Sequence, residues 1–302
     1  MTREMRAGCA LMAAGMALVG CQPAGQVPAP NPVARVCSGV SAPSPVMPDG
    51  LVAYDRGAGY AIVVSQLTGV DQPADLGTWK WSCTWSRLTG PDAAPVGYAM
   101  AYDPALQMTI LLGQKTMGWD GSRWTDLHAT PPLNLGGTTL LFDAARNAMV
   151  LVDSYRSGVN TWTFDGHSWK KASTTGPQNA AGLGVAYDPR SKAVIAFGAG
   201  GTWRWDGKSW TLLHPPSSPD DEASALAYDE ATSQMILINQ AGQTWSWDGS
   251  SWTQLPLDGP LFSEPGGLVY DAAGRQLILW MTWKFWERSQ TWTYSGDWAE
   301  LP

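Results

Sequence analysis

The sequence predicts an all-β fold, a six-bladed β-propeller with four-stranded blades, and two observations support this prediction. One pattern recurs six times after residue 50, and its marker aspartates run from Asp55 to Asp271 with a mean period of about 43 residues. Each period also contains several short apolar or alternating segments separated by turn-forming residues. Repeats of this length, with several short strands in each unit, are typical of propeller blades.

The marker of each repeat is an aromatic residue followed by aspartate at the end of a short apolar run. The six pairs are Tyr54-Asp55, Tyr102-Asp103, Phe142-Asp143, Tyr187-Asp188, Tyr228-Asp229 and Tyr270-Asp271. A ring of carboxylates around a cation is one interpretation of the aspartates. Turn-forming residues follow each of them, however, which favours aspartates that accept hydrogen bonds from the amides of the next turn.

The fourth repeat shows how one blade is built. Its predicted strands are 183–187, 193–197, 202–205 and 210–213. The second strand is a continuous apolar run, as expected for a strand buried on both faces, and the third alternates aromatic and polar residues. Asp206-Gly207 predicts a tight turn between the third and fourth strands.

Fifteen of the 18 tryptophans occupy equivalent positions in the third and fourth strands of the repeats. Because each blade of a repeat fold packs against its neighbours, we expect residues that recur in this way to form the core between blades rather than a row of sugar-binding platforms. They are Trp79, Trp81, Trp85, Trp119, Trp124, Trp162, Trp169, Trp203, Trp205, Trp210, Trp245, Trp247, Trp252, Trp292 and Trp298.

The cycle of aromatic-Asp, apolar strand, Trp-x-Trp-Asp-Gly and Ser-Trp-Thr resembles bacterial kelch-type repeats related to the central propeller of galactose oxidase, over residues 51–302. The resemblance implies a kelch-like architecture. Kelch blades usually carry a glycine pair after the second strand, but blade two has Gly113-Gln114 there, and the fourth blade comes nearest with Gly200-Gly201. The resemblance therefore implies no kelch-family function.

The three histidines do not favour a copper site like that of galactose oxidase. His128 and His214 occupy the same place in blades two and four, whereas His167 lies in a turn on the opposite face. Side chains dispersed in this way are not expected to converge on one ion. The sequence predicts no metal, no cofactor and no catalytic residue.

The N-terminus predicts export. Arg3 and Arg6 precede an apolar stretch, 7–20, which is too short to span a bilayer as a helix and fits a secretory signal. The stretch runs into LVGC, which resembles the lipobox of bacterial lipoproteins and implies cleavage before Cys21 and lipidation of its thiol. The alternative is an ordinary secretory signal with an incidental cysteine. We expect a protein of the cell envelope, lipid-anchored to a membrane facing the periplasm or the exterior.

The chain thus divides into a signal peptide at 1–20, a lipidated cysteine and Pro-rich tether at 21–50, and the propeller at 51–302. Prolines in the tether favour an extended coil. The two other cysteines of the mature chain, Cys37 and Cys83, are expected to form a disulfide in an oxidising compartment; two free thiols are the alternative. The bond would attach the tether to blade one, in place of a strand exchanged between the two ends of the ring.

The charge balance argues against nucleic acid as a partner. The chain has 19 basic and 26 acidic residues, a formal net charge of −7, and no Lys/Arg-rich run. Nucleic-acid binding is driven by counterion release at a basic surface. We expect the membrane, through the N-terminal lipid, and a glycan or an envelope protein as partners.

Departures from the repeat indicate where a ligand could bind, because repeat proteins present their binding surfaces on one face of the array. The connection between the second and third strands is long in blades one, three and six, and blade six adds tryptophans outside the pattern. Exposed aromatic residues beside charges suit a sugar ring or a protein partner, and packing at the seam between blades six and one is the alternative. The candidate ligand-binding residues are Trp280, Trp283, Lys284, Phe285, Trp286 and Arg288.

We therefore expect an envelope-anchored, non-catalytic binding propeller that presents a loop face to a glycan or protein partner. The alternative is a carbohydrate-active enzyme whose acid and base come from carboxylates of that face, Asp220, Asp221, Glu222 and Glu264. A solvated acidic loop is the simpler interpretation of those carboxylates. A purely structural envelope protein is a third possibility.

Overall fold

Six sheets of four antiparallel strands make up the part of the chain that the structure describes. This computed structural model describes residues 50–65, 77–90, 94–132, 137–153, 159–177, 182–198, 201–220, 223–261, 264–282 and 289–301. The predicted all-β fold with six four-stranded blades is confirmed. The predicted signal peptide and nearly all of the tether, with Cys21 and Cys37, lie outside the described residues.

The strands follow one another blade by blade. Blades one to three contain β1 (Leu51–Asp55), β2 (Tyr60–Ser65), β3 (Gly77–Trp81), β4 (Trp85–Thr89), β5 (Gly97–Asp103), β6 (Met108–Gly113), β7 (Thr116–Trp119), β8 (Trp124–Asp126), β9 (Thr138–Asp143), β10 (Ala148–Asp153), β11 (Asn160–Phe164) and β12 (Trp169–Ser173). Blades four to six contain β13 (Gly184–Asp188), β14 (Ala193–Gly198), β15 (Gly201–Trp205), β16 (Trp210–Leu213), β17 (Ala223–Asp229), β18 (Gln234–Asn239), β19 (Gln243–Trp247), β20 (Trp252–Asp258), β21 (Glu264–Asp271), β22 (Gln276–Thr282), β23 (Ser289–Tyr294) and β24 (Trp298–Leu301). None of the described residues forms a helix that is long and apolar enough to cross a membrane.

The ring closes by packing. Each sheet consists of four consecutive strands, so none of the described strands is exchanged between the first and last blades. The first strands of the blades contact one another around a full circle, from β1 to β5 and onward to β21, which contacts β1 again. The predicted absence of a strand-exchange clasp is confirmed for the described strands.

The two faces of the disc differ in their connections. The turn face carries the turns between first and second strands and between third and fourth strands, such as 56–59 and 82–84 in blade one. The loop face carries the connections between second and third strands and those from one blade to the next. Alternating strand direction within a blade therefore sends all variable connections to the loop face.

The second strand of each blade is the most buried, as its continuous apolar sequence predicts. All six residues of β14 are buried, and this strand pairs with β13 on one side and β15 on the other. The strands of blade four begin and end within one residue of the predicted bounds. An apolar side chain buried in this way stabilises the fold by about 1.5–3 kcal/mol.

The core lies between the blades rather than within them. One cluster, for example, joins Val150 and Val152 of blade three to Val194 and Trp205 of blade four. The second aromatic position of the third strands, which includes Trp119 and Trp205, is buried as predicted. The first position differs, because Trp79, Trp162, Trp203 and Trp292 are only half-buried. Arg87 and Lys171 cover the rings of Trp79 and Trp162 at 5.1 and 4.7 Å.

Tryptophans of the fourth strands fasten each blade to the one before it. The indole Nε1 of the fourth-strand tryptophan donates to a threonine Oγ1 in the third strand of the preceding blade, at 2.8 to 2.9 Å, at five of the six junctions. The net stabilisation from one such hydrogen bond is about 1 kcal/mol. The pairs are Trp124–Thr78, Trp169–Thr116, Trp210–Thr161, Trp252–Thr202 and Trp298–Thr244.

The sixth junction, between blades six and one, is built differently. The buried Nε1 of Trp85 has no hydrogen-bond partner among the described residues. Its ring packs edge-on against the ring of Trp280, with centroids 4.8 Å apart and an angle of 71°. Aromatic contact thus takes the place of the Trp–Thr hydrogen bond at the seam where the ring closes.

The turn between β3 and β4 also sets blade one apart. Its central residue is Cys83, with φ 72°, where the corresponding turn of blade six has Gly296 at φ 102°. This left-handed conformation costs a residue other than glycine roughly 1–2 kcal/mol. Cys83 is disulfide-bonded, and its partner lies outside the described residues. The pairing with Cys37 stays a prediction.

Candidate functional site

A central channel runs between the first strands of the blades and forms a cavity of about 710 Å³. All six first strands contribute to its lining. Each of them lies at the end of its sheet, so its free edge faces the channel. The walls are mostly apolar and include small side chains such as Ala53, Ala101 and Ala227. The volume falls in the range of small-molecule sites.

One aromatic residue from each blade lines this channel towards the turn face. Tyr54 accepts a hydrogen bond at its hydroxyl oxygen from the Ala273 amide of blade six, at 3.0 Å. The Gly57 amide of blade one donates to Tyr102 of blade two in the same way. These bonds tie a blade to the turn of its neighbour. We call the six side chains the aromatic layer: Tyr54, Tyr102, Phe142, Tyr187, Tyr228 and Tyr270.

Carboxylates lie close enough to the aromatic layer to act on its hydroxyl groups, and Arg56, Arg146 and Arg275 oppose their effect on the pKa values of Tyr102, Tyr187 and Tyr270. Burial raises the pKa of Tyr102, Tyr187 and Tyr270 above the ordinary value of a tyrosine. In each case a nearby carboxylate raises the pKa further, because a negative charge opposes formation of a phenolate. Asp55 and Asp143 have this effect on Tyr102 and Tyr187, respectively.

The six marker aspartates lie directly behind the aromatic layer and are all buried. Each accepts a hydrogen bond from the amide of a residue two or three positions later, at 2.8 to 3.1 Å, which is the role in the turn that the sequence predicts. Asp143 also forms an ion pair with Arg146 at 2.7 Å. The pKa of Asp55 is raised by burial, although amides of its turn oppose that effect.

An ion pair joins two blades at the turn-face end of the channel. Arg56 of blade one and Glu230 of blade five each follow a marker aspartate, and both line the cavity. Their side chains form an ion pair across blade six, between residues 174 positions apart in the chain. Glu230 is the one carboxylate among the described residues that line the channel.

The loop face carries the exposed apolar surface. The large hydrophobic side chains that stand out as exposed in the described part of the chain are Val96, Tyr98 and Leu261, at 64, 50 and 67 % exposure. Val96 and Tyr98 flank the start of β5, and Leu261 lies between blades five and six. Tyr98 also lines the loop-face end of the channel. These side chains share one face but belong to different sectors of the ring, blade two and the connection from blade five to blade six. Apolar side chains that stay exposed on the face with the variable connections make it the candidate interaction surface.

The structure corrects one of the predicted ligand-binding residues. Trp280 is 0 % exposed and packs in the core with Val63 and Trp81 of blade one. Trp280 is therefore part of the seam between blades six and one, which was the alternative interpretation of the blade-six tryptophans. It is buried there because it belongs to the apolar second strand of its blade, β22. The other candidates, Trp283, Lys284, Phe285, Trp286 and Arg288, lie outside the described residues.

The carboxylates considered for an enzyme are not brought together in the described part of the chain. Asp220 is exposed, Asp221 and Glu222 lie outside the described residues, and Glu264 begins β21 without a described side chain. No group of three or more His, Cys, Asp or Glu side chains among the described residues is placed to hold a metal ion. The described site thus consists of the channel, its ion pair and the loop face.

Sequence reasoning missed three features of this site. The aromatic layer could have been found from the sequence, because an aromatic residue precedes the marker aspartate in every repeat. The Arg56–Glu230 pair could also have been found, since residues of opposite charge directly follow the marker aspartate in two blades. The exposure of Tyr98 had no comparable signal, because apolar residues begin many strands and most are covered.

Solved structures of other proteins are similar to this chain at low sequence identity, and two of them, with TM-scores above 0.5, share its fold. One, in a crystal structure of a nidogen/laminin complex, is 13 % identical, covers 83 % of this chain and 89 % of its own, and has a TM-score of 0.52. A GH74 enzyme of Niastella koreensis is 16 % identical with a TM-score of 0.51, covering 87 % of this chain and 46 % of its own. A Bacteroides thetaiotaomicron protein of unknown function is 11 % identical with a TM-score of 0.48, covering 67 % of this chain and 56 % of its own.

This chain therefore spans about half the length of the Niastella and Bacteroides proteins. No protein-family model matches the chain, and no curated protein matches it. At such identities the likeness shows the fold alone.

Proposed function

We propose that this protein is an envelope-anchored binding propeller that presents its loop face to a glycan or protein partner and performs no catalysis there. The observation that carries the proposal is that the exposed large hydrophobic side chains of the described residues, Val96, Tyr98 and Leu261, all lie on the loop face. Aromatic and aliphatic side chains that stay exposed on one face suit the centre of an interface, where they become desolvated on binding. None of these three exposed hydrophobic residues lies in a turn of the opposite face.

A capture experiment tests the proposal. The mature chain, solubilised in a nonionic detergent, is incubated with envelope extract beside a Tyr98→Ser/Leu261→Ser variant, and bound protein and bound sugar are both assayed. We expect a partner that the parent retains and the variant loses, and that then binds the purified parent about tenfold or more tightly than it binds the variant, because truncating interface centres costs more than 1 kcal/mol each.

A control variant on the turn face, Ala144→Ser/Ala145→Ser, introduces two serines, as the loop-face variant does. It is expected to bind the partner like the parent. Both altered alanines are exposed and precede Arg146 in their turn. Equal binding by all three proteins would remove the loop-face patch from the proposal. Release of new sugar ends from a captured glycan would establish the enzyme alternative instead.

We also propose the lipid anchor, the envelope location, the domain bounds 1–20, 21–50 and 51–302, and the kelch-type relationship of the repeats. The LVGC motif after an apolar stretch supports the anchor, and the repeat cycle supports the relationship.

Replacing Cys21 by serine is expected to move the protein from the membrane fraction to the soluble exported fraction, because no acyl chains can then hold it on a bilayer. Fractionation followed by mass measurement of the intact protein checks this. The control Cys9→Ser alters a cysteine within the signal itself and is expected to leave the protein in the membrane. An intact mass that still includes acyl chains in the Cys21→Ser protein would contradict the anchor.

A further inference from the structure

The turn-face end of the central channel combines aromatic side chains and buried carboxylates in one layer. Each member of the aromatic layer sits at the end of a first strand, one residue before a marker aspartate. Because the first strands contact one another around the closed ring, these equivalent positions form a single level of the channel. The six aromatic residues line one cavity of about 710 Å³.

The carboxylates behind this level are only partly neutralised. Arg146 pairs with Asp143, and none of the other marker aspartates has an ion-pair partner among the described residues. The basic residues of the surrounding turns, such as Arg190, Lys192 and Arg275, are exposed to solvent. Charges in solvent are screened strongly and buried ones much less, so these exposed basic residues offset the buried carboxylates only in part.

We propose that this end of the channel binds an organic cation, a protonated amine or quaternary ammonium group carried on an apolar body. Aromatic rings attract a cation through their quadrupole, and more strongly when the cation is desolvated. The small apolar side chains along the wall, such as Ala101 and Ala227, accommodate the apolar body. A neutral or anionic molecule of the same shape gains nothing from the carboxylates.

The Arg56–Glu230 pair gives the site a way to discriminate charge. Both residues line the cavity, so a bound ligand would meet the positive charge of Arg56 and the negative charge of Glu230. A bound cation competes with Arg56 for the Glu230 carboxylate. Removal of Arg56 should therefore strengthen binding of a cation, and removal of the Glu230 charge should weaken it.

The test titrates benzyltrimethylammonium, benzyl alcohol and phenylacetate into the mature full chain in a nonionic detergent, with detergent alone as a blank. Binding is measured by calorimetry. We expect saturable binding of the cation, with the neutral and anionic probes weaker by about tenfold or more, because cation–aromatic and charge terms are both lost.

Variants of the channel residues test which charge the site prefers. Glu230→Gln is expected to weaken cation binding about fivefold, and Arg56→Met to strengthen it by a similar factor. Tyr270→Leu should weaken it about three- to tenfold. A matched pair of controls alters the exposed Lys115–Asp126 ion pair, which lies outside the channel, and Lys115→Met and Asp126→Asn should leave binding unchanged.

Phenylacetate that binds as tightly as the cation would overturn the proposal, as would the opposite order of effects for Arg56→Met and Glu230→Gln. Lack of saturable cation binding in the submillimolar range would overturn it as well. Arg56 and Glu230 are exposed, so these two variants should fold even where Tyr270→Leu does not. The site is independent of the loop-face partner, because Leu261→Ser alters a loop-face residue that does not line the cavity and should keep cation binding.

Discussion

Trp252→Ala is expected to destabilise the propeller by about 4 kcal/mol, since a fully buried tryptophan leaves a cavity that the surrounding residues fill only in part. Trp252 is 1 % exposed and packs against Phe197 and Trp247, with centroids at 5.3 and 5.2 Å. Its Nε1 also donates to Thr202 Oγ1 at 2.9 Å. The free energy of unfolding, from chemical denaturation followed by tryptophan fluorescence, measures the loss.

Phenylalanine substitutions at Trp252 and at the less buried Trp85 compare a junction that has the Trp–Thr hydrogen bond with the seam, where Trp85 has no such bond to a described residue. Trp252→Phe should cost about 1–3 kcal/mol more than Trp85→Phe, because it leaves the buried Thr202 hydroxyl without its donor. At the seam, the Nε1 of Trp85 has no described partner to lose. Equal losses of unfolding free energy for the two substitutions would show that the Trp–Thr bonds do not hold the blades together.

Asp143→Ala is expected to cost about 1.5–3 kcal/mol, the range for hydrogen bonds to a charged group, because Asp143 is buried while its partner Arg146 is partly exposed. The carboxylate is 0 % exposed and accepts hydrogen bonds from the Ala145 amide at 3.1 Å and from Arg146 at 2.7 Å. Without it, the amide is left without an acceptor inside the turn. The same denaturation experiment measures the change.

The matched control is Asp248→Ala, which removes a carboxylate from an exposed turn. Asp248 accepts hydrogen bonds from the amides of Ser250 and Ser251 at 2.8 and 2.9 Å, but water can replace it there. A loss of about 1 kcal/mol or less is expected. If Asp248→Ala costs as much as Asp143→Ala, burial does not explain the role of the marker aspartates.

Much of the fold could be predicted because the strands and turns of each repeat are specified by residues that are adjacent in the sequence. The apolar run of β14, the alternation in β15 and the Asp206-Gly207 turn each follow from a few adjacent residues. The marker aspartates were also interpreted correctly, because an Asp before turn-forming residues bonds to its own turn.

The candidate site was less predictable, because exposure depends on what covers a residue after the ring has closed. Trp280 departs from the repeat pattern and was expected to bind a ligand, yet blade one covers it completely. Tyr98 fits an ordinary strand start in the sequence, yet it is half exposed at the channel mouth.

The sequence by itself thus determined the number of blades, the strands within each and the turns that join them, since these depend on neighbours in the chain. Tertiary structure alone decided which residues from distant repeats meet. Arg56 reaches Glu230, and Trp252 reaches Thr202, across separations of 174 and 50 residues. Such contacts form only when six blades curve into one closed ring, so the repeat pattern does not specify which distant side chain each residue then meets.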